Sequence, residues 1–118
     1  MKRGEIWTVA AGAGYAGKPR PAVIVQENRF EHLESIIFCP LTSHESDASL
    51  FRPALIPNDS NGLRKPCRVM VDKIAALPRS KVGIRIGQID HGDMVRVNRA
   101  LSLLLGFADT SSTFDDDE

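Results

Sequence analysis

Only one stretch of this chain, the run that follows Asp90, repeats its apolar residues at helical spacing. Before it the apolar residues fall in short runs separated by polar turns, glycines and prolines, which is the pattern of strands. Met94, Val97, Leu101, Leu104 and Leu105 fall on one helical face. Asp90 is a natural N-cap, with Asp93 three residues on, and Gly106 stands where a helix would stop. The apolar stripe is expected to pack across a sheet. That sheet would be built from residues 4–10, 21–26, 35–41, 50–56, 67–74 and 83–89, all short and most rich in β-branched side chains. Pro53 inside 50–56 marks an edge or a bulge. Between these runs lie a Gly/Ala loop at 11–17, polar turns at 28–34 and 57–62 and a polar loop at 43–49. The pattern predicts a mainly β fold closed by a C-terminal helix.

A chain of 118 residues is long enough for one hydrophobic core and too short for two. The expected division is a single domain over 1–108 and an acidic, disordered tail over 109–118. No run approaches the ~18 consecutive apolar residues of a membrane span. Met1-Lys2-Arg3-Gly4-Glu5 leads directly into a strand pattern without a signal-peptide core, so a cytoplasmic protein with no membrane partner is expected. Cys39 and Cys67 sit inside apolar runs, which suits buried, reduced thiols better than a disulfide framework. No His, Cys or carboxylate grouping has metal-ligand spacing, and Gly12-Ala13-Gly14 precedes a strand rather than a helix. Neither a metal nor another cofactor is expected.

The formal net charge of zero conceals an uneven distribution. Residues 64–85 carry Arg64, Lys65, Arg68, Lys73, Arg79, Lys81 and Arg85 against the single acid Asp72, while 109–118 holds five acids and no base. A basic block of this kind is the footprint of a phosphate-rich partner, although a solvated face gives the same count.

Lys18-Pro19-Arg20-Pro21 leads into the apolar run Ala22-Val23-Ile24-Val25. Proline on both sides restricts Arg20 to extended backbone and presents its five fixed donors from a stiff strand entrance, as an anion clamp requires. A structural arginine paired to a carboxylate would look the same.

These pieces together resemble one family. Lys2-Arg3-Gly4-Glu5-Ile6-Trp7, the Gly-rich loop into Arg20-Pro21-Ala22-Val23-Ile24-Val25, the run ending Pro40-Leu41-Thr42-Ser43, the segment Val69-Met70-Val71-Asp72-Lys73-Ile74, and the helix ending Leu104-Leu105-Gly106-Phe107 resemble the MazF/PemK toxins of bacterial toxin–antitoxin pairs, in the family's order. The resemblance implies a small SH3-like, PemK-type β-barrel that dimerises and cuts single-stranded RNA at a specific sequence without a metal. A cognate antitoxin would silence it by occupying the RNA groove.

Carried over residue by residue, the resemblance places Arg20 and Thr42 at the scissile phosphate as the catalytic pair. Tyr15, Lys18, Ser43, Arg68 and Lys73 are the expected RNA contacts. The first loop departs from the family pattern: Gly14-Tyr15-Ala16-Gly17 lacks the acidic residue that many members carry there. Tyr15 could stack on a base instead, or fold over the loop to shield the core. A guanidinium can stabilise charge on the non-bridging oxygens, but with a pKa above ~12 it is a poor proton acceptor. His44, two residues past Thr42, is a candidate base, since an ordinary imidazole titrates near ~6.5; otherwise it is a loop histidine in water. His32 and His91 are weaker candidates. Two other readings of the same barrel stay open here. One is a noncatalytic toxin that poisons gyrase by binding, and the other is a noncatalytic nucleic-acid-binding module in which the basic block supplies affinity.

Overall fold

The computed structural model describes residues 1–10, 18–44 and 51–108. Seven antiparallel strands, β1 (Glu5–Val9), β2 (Arg20–Ile24), β3 (Ser35–Thr42), β4 (Ala54–Leu55), β5 (Cys67–Val69), β6 (Ala75–Pro78) and β7 (Val82–Gln88), are followed by one helix, α1 (His91–Leu104). The strands run in the order β4-β5-β3-β2-β1-β7, and β6 pairs with β3 as well. A strand has two edges, so β3 can hold three partners only by changing one of them along its length. Its first half, Ser35–Phe38, pairs with β6, and Leu41 and Thr42 pair with β5. Pro40 stands at the change of partner, where its missing N–H leaves no donor stranded, and its carbonyl accepts the Met70 amide at 2.9 Å.

The sheet buries both faces, as the two-residue side-chain period of a strand allows. Ile6, Val23, Cys39, Leu41, Leu55, Val69 and Ile89 face α1 and meet Val97, Ala100 and Leu101. Val9, Ala22, Ile24, Ile36 and Phe38 form a second cluster, covered by Met1, Trp7, Leu77 and Val82. The helix begins as expected: Asp90 Oδ1 accepts the Asp93 amide at 2.8 Å, a cap worth about 1 kcal/mol. It ends at Gly106, whose φ of +81° only glycine adopts without strain.

Three expectations need correction. The helical stripe is buried only as far as Leu101, since Leu104 and Leu105 are 42% and 46% exposed. The expected strand at 50–56 is reduced, within the described residues, to Ala54–Leu55. Pro53 contributes a carbonyl to the Val69 amide rather than a ladder donor, and Arg52 turns aside to Asp72. The run 67–74 is not one strand. It breaks after Val69, makes a 3-10 turn at Val71–Lys73 and re-enters the sheet as β6. Val71 is fully buried inside that turn, and a continuous apolar run reads the same whether its buried residues lie on a strand or in a turn. Both cysteines are buried and free, as expected. The calls on 11–17, 45–49 and the acidic tail lie outside the described residues.

Candidate active site

Arg20 and Thr42 meet because of sheet register. β2 and β3 pair Ala22 with Pro40. Carried two residues beyond that last pair, the register would bring Arg20 opposite Thr42, and both side chains line one cavity. β5 continues the row, with Arg68 opposite Thr42 and Ala54 opposite Arg68. β2, β3 and β5 thus carry Arg20, Thr42 and Arg68 to one end of the curled sheet.

A cavity of about 350 Å³ opens at that end, lined by Arg20, Pro21, Leu41, Thr42, Ser43, His44, Lys65, Cys67 and Met70. Arg20 is exposed and Thr42 half-buried. The Thr42 hydroxyl oxygen accepts the His44 amide at 3.1 Å, a local turn that fixes the threonine and leaves its proton for another acceptor. Pro21, Leu41, Cys67 and Met70 supply its apolar lining, and every charged side chain in the lining is basic. An anion entering it therefore meets donors and no carboxylate.

Four sequence-derived candidates thus come together: Arg20, Thr42, Ser43 and His44. Lys18 is exposed, just ahead of Arg20 in the chain. Arg68 stands beside Thr42 in the ladder, but its Nη1 donates to the Arg52 carbonyl at 2.9 Å and it does not line the cavity. Lys73 is exposed on the 3-10 turn and does not line it either. Tyr15 lies outside the described residues. His32 and His91 are exposed away from the cavity.

The basic block does not form one face. Arg85 reaches Glu5 at 3.1 Å, and Arg79 Nε donates to the Leu33 carbonyl at 2.6 Å. Lys65 was counted only as part of that block, yet it lines the cavity. The signal for it was positional: Lys65-Pro66 opens directly into β5, the strand that flanks Thr42.

Fixed charges brace the surroundings. Arg52 grips Asp72 with two parallel hydrogen bonds of 2.8 and 2.7 Å. These bonds hold the Asp72 carboxyl below the usual aspartate range. At Glu5, burial alone would raise the pKa, but donors from the Lys2 amide, the Trp7 indole and Arg85 outweigh it and lower the pKa overall. The thiol of Cys67 in the cavity wall is pushed up by burial, and that of Cys39 is pushed up to about 12 for the same reason. Neither is poised as a nucleophile. Among the described residues, no three His, Cys, Asp or Glu side chains cluster as metal ligands.

The family described as the PemK-like, MazF-like toxin of type II toxin–antitoxin systems matches residues 2–105. This chain belongs to that toxin family. A curated relative from Mycolicibacterium smegmatis, named a probable endoribonuclease MazF, is 42% identical over 108 residues, which is 92% of this chain and 99% of the relative. Among solved structures, a mycobacterial endoribonuclease in complex with its cognate antitoxin superposes with a TM-score of 0.76 at 25% identity, covering 92% of this chain and 97% of that one. A MazE–MazF structure from Deinococcus radiodurans gives a TM-score of 0.73 at 21% identity, over 92% of this chain and 97% of that one. The second of these speaks to the fold alone. The expected PemK-type fold is borne out: the MazF-like sheet curls into a half-barrel with α1 packed against it.

Proposed function

We propose that this protein is a MazF-type endoribonuclease toxin that cuts single-stranded RNA at a short sequence without a metal, with Arg20 and Thr42 at the scissile phosphate. The observation that supports the site assignment is that these two side chains line one cavity whose charged lining is entirely basic.

The chemistry follows from those groups. The ribose 2′-hydroxyl adjacent to the cut attacks phosphorus, and the 5′-oxygen of the next nucleotide leaves. The products are a 2′,3′-cyclic phosphate and a 5′-hydroxyl end. Because nucleophile and phosphate belong to one molecule, the enzyme's task is to hold the in-line arrangement and stabilise charge on the non-bridging oxygens. Arg20 supplies a two-pronged guanidinium for that charge. Thr42, its acceptor side occupied by the His44 amide, donates its hydroxyl proton to the phosphate. His44 lines the same cavity and is the group there suited to relay a proton.

The working unit is a homodimer, and an antitoxin silences it. A second cavity, of about 440 Å³, lies between α1 and the residues that follow β2, with Phe30, Ile37, Leu105 and Phe107 in its wall. Phe107 is 78% exposed there, and a second copy of the chain would cover such apolar surface. Tyr15, Lys18, Arg68 and Lys73 would extend the RNA groove of that dimer. An acidic antitoxin segment that folds on binding would compete with RNA for the same cations. No helix among the described residues is long and apolar enough to cross a membrane. With RNA as the substrate, the protein acts in the cytoplasm.

The test is cleavage of defined single-stranded RNAs in EDTA, with the ends identified by mass spectrometry. Activity that needs an added divalent ion, or 3′-hydroxyl and 5′-phosphate products, would refute the mechanism. Binding with the RNA recovered intact would favour the noncatalytic module.

A further inference from the structure

The cavity that holds Arg20 and Thr42 does not end at Lys65. Another cavity, of about 360 Å³, shares Pro21, Lys65 and Cys67 with it and continues over Leu63, Arg64 and Ile86. The two are therefore compartments of one groove with a common wall. Their chemistry differs. The first is lined by Arg20, Thr42, Ser43 and His44, whereas the second has an aliphatic wall in which Leu63 and Ile86 are half-buried and packed on the main core. Arg64 and Lys65 stand exposed at its rim. No role proposed above uses this second compartment.

A single-stranded RNA alternates phosphate and base along its length. A groove that seats one phosphate must therefore place the neighbouring base within one nucleotide of it. The geometry points to a nucleobase subsite formed by Pro21, Leu63, Arg64 and Ile86 beside the Arg20–Thr42 cavity, with Lys65 holding the backbone phosphate between the two compartments; this rests on the RNA-cleaving function proposed above. The base lies on the Pro21, Leu63 and Ile86 wall, where its flat face leaves water, and the cations at the rim meet its edge.

The rim also dictates which edge. Arg64 and Lys65 offer hydrogen-bond donors only. Guanine O6 and uracil O4 are acceptors at the ring position where adenine N6 and cytosine N4 are amino donors, so an amino base meets these cations only through its ring nitrogens or the cytosine O2. A keto base is therefore favoured at the nucleotide in this subsite, and the facing amino donor disfavours an amino base.

The experiment uses short single-stranded RNAs that vary only at the nucleotides flanking the cut, and kcat/KM is measured for the wild type, Arg64→Gln and Ile86→Ala. The wild type should favour a keto over an amino base by about tenfold at one flanking position. Arg64→Gln should shrink that ratio several-fold at that position alone. Ile86→Ala should slow the keto substrates there while leaving preferences elsewhere in place. Unchanged ratios in both variants, or a uniform loss across all substrates, overturn the subsite. Ile86 packs on the core, so its variant is read beside a thermal melt. If it does not fold, the exposed Arg64→Gln decides alone. A wild type that cuts no RNA overturns the endoribonuclease function and the subsite with it, whereas a wild type that cuts with flat flanking preference overturns the subsite only.

Discussion

Replacing Arg20 with alanine separates the phosphate clamp from the scaffold that carries it. Arg20 is exposed at the first position of β2, and its ladder partner Val9 meets it through backbone groups that alanine keeps. Prolines on both sides hold the segment extended whatever the central side chain is. The substitution should therefore cost about 1 kcal/mol of stability or less, as at other exposed sites. Its effect on catalysis should be far larger. Removing one fixed donor to a developing oxyanion costs about 3–4 kcal/mol. At about 1.4 kcal/mol per factor of ten, that is a loss of about 10²–10³ in kcat. Arg20→Lys keeps the charge without the planar fork, so it should fall between wild type and alanine. The assay is turnover of a fluorogenic RNA under saturating conditions, paired with thermal melts of all three proteins. A kcat for Arg20→Ala within about threefold of wild type would show that the guanidinium does not face the reacting phosphate. A melting curve displaced as far as that of a core-truncated protein would show that Arg20 is a structural arginine.

Three further outcomes can be checked. Asp72→Asn should cost about 1–2 kcal/mol in urea melts, because the charge-assisted pair with Arg52 is only partly exposed. Since the Arg52 hydrogen bonds lower the Asp72 pKa in the folded state, the wild-type contribution is complete above the ordinary aspartate value. It should decline as pH falls below the ordinary aspartate value and through the depressed one, and a variant whose deficit does not shrink as the pH is lowered contradicts this. Cys39, buried and pushed up to about 12, should resist iodoacetamide at pH 8 until guanidinium unfolds the protein; fast labelling of the native state would contradict its burial. Deleting residues 112–118, which include Asp115, Asp116, Asp117 and Glu118, should raise RNA affinity at low salt and change little at high salt, and equal low-salt affinities would leave the tail without a role in screening the basic segment.

What the sequence made legible follows from how each signal is generated. The helix could be read because Asp90 and Gly106 bracket a 3.6-residue period, and both do locally what their chemistry implies. Arg20 and Thr42 could be named from the residues around them, but not the reason they meet. That lies in the long-range pairing of β2 with β3, which no local pattern encodes. β6 was invisible because Ala75-Ala76-Leu77-Pro78 has little β-propensity and becomes a strand by pairing with β3. The basic block misled in the other direction. Sequence adds charges that the fold then disperses: Arg85 to Glu5, Arg79 to a carbonyl, and Lys65 to the cavity.

The fully buried Asn61 bears on how such a groove can evolve. Its Oδ1 accepts the amides of Asn58 and Leu63 at 3.2 and 3.0 Å, and its Nδ2 donates to the Ile56 carbonyl at 2.9 Å. Gly87 of β7 lies so close beneath that a Cβ there would collide with the Asn61 carbonyl. The loop leading to Lys65 is thus anchored by a polar knot whose members must change together. Insertions and length changes between 58 and 63 would orphan buried donors, so lineages carrying this turn should diversify their RNA targets by exchanging side chains at 63, 64 and 65 on a constant backbone. Substitution, rather than loop remodelling, would then be the route by which one toxin acquires a new cutting site.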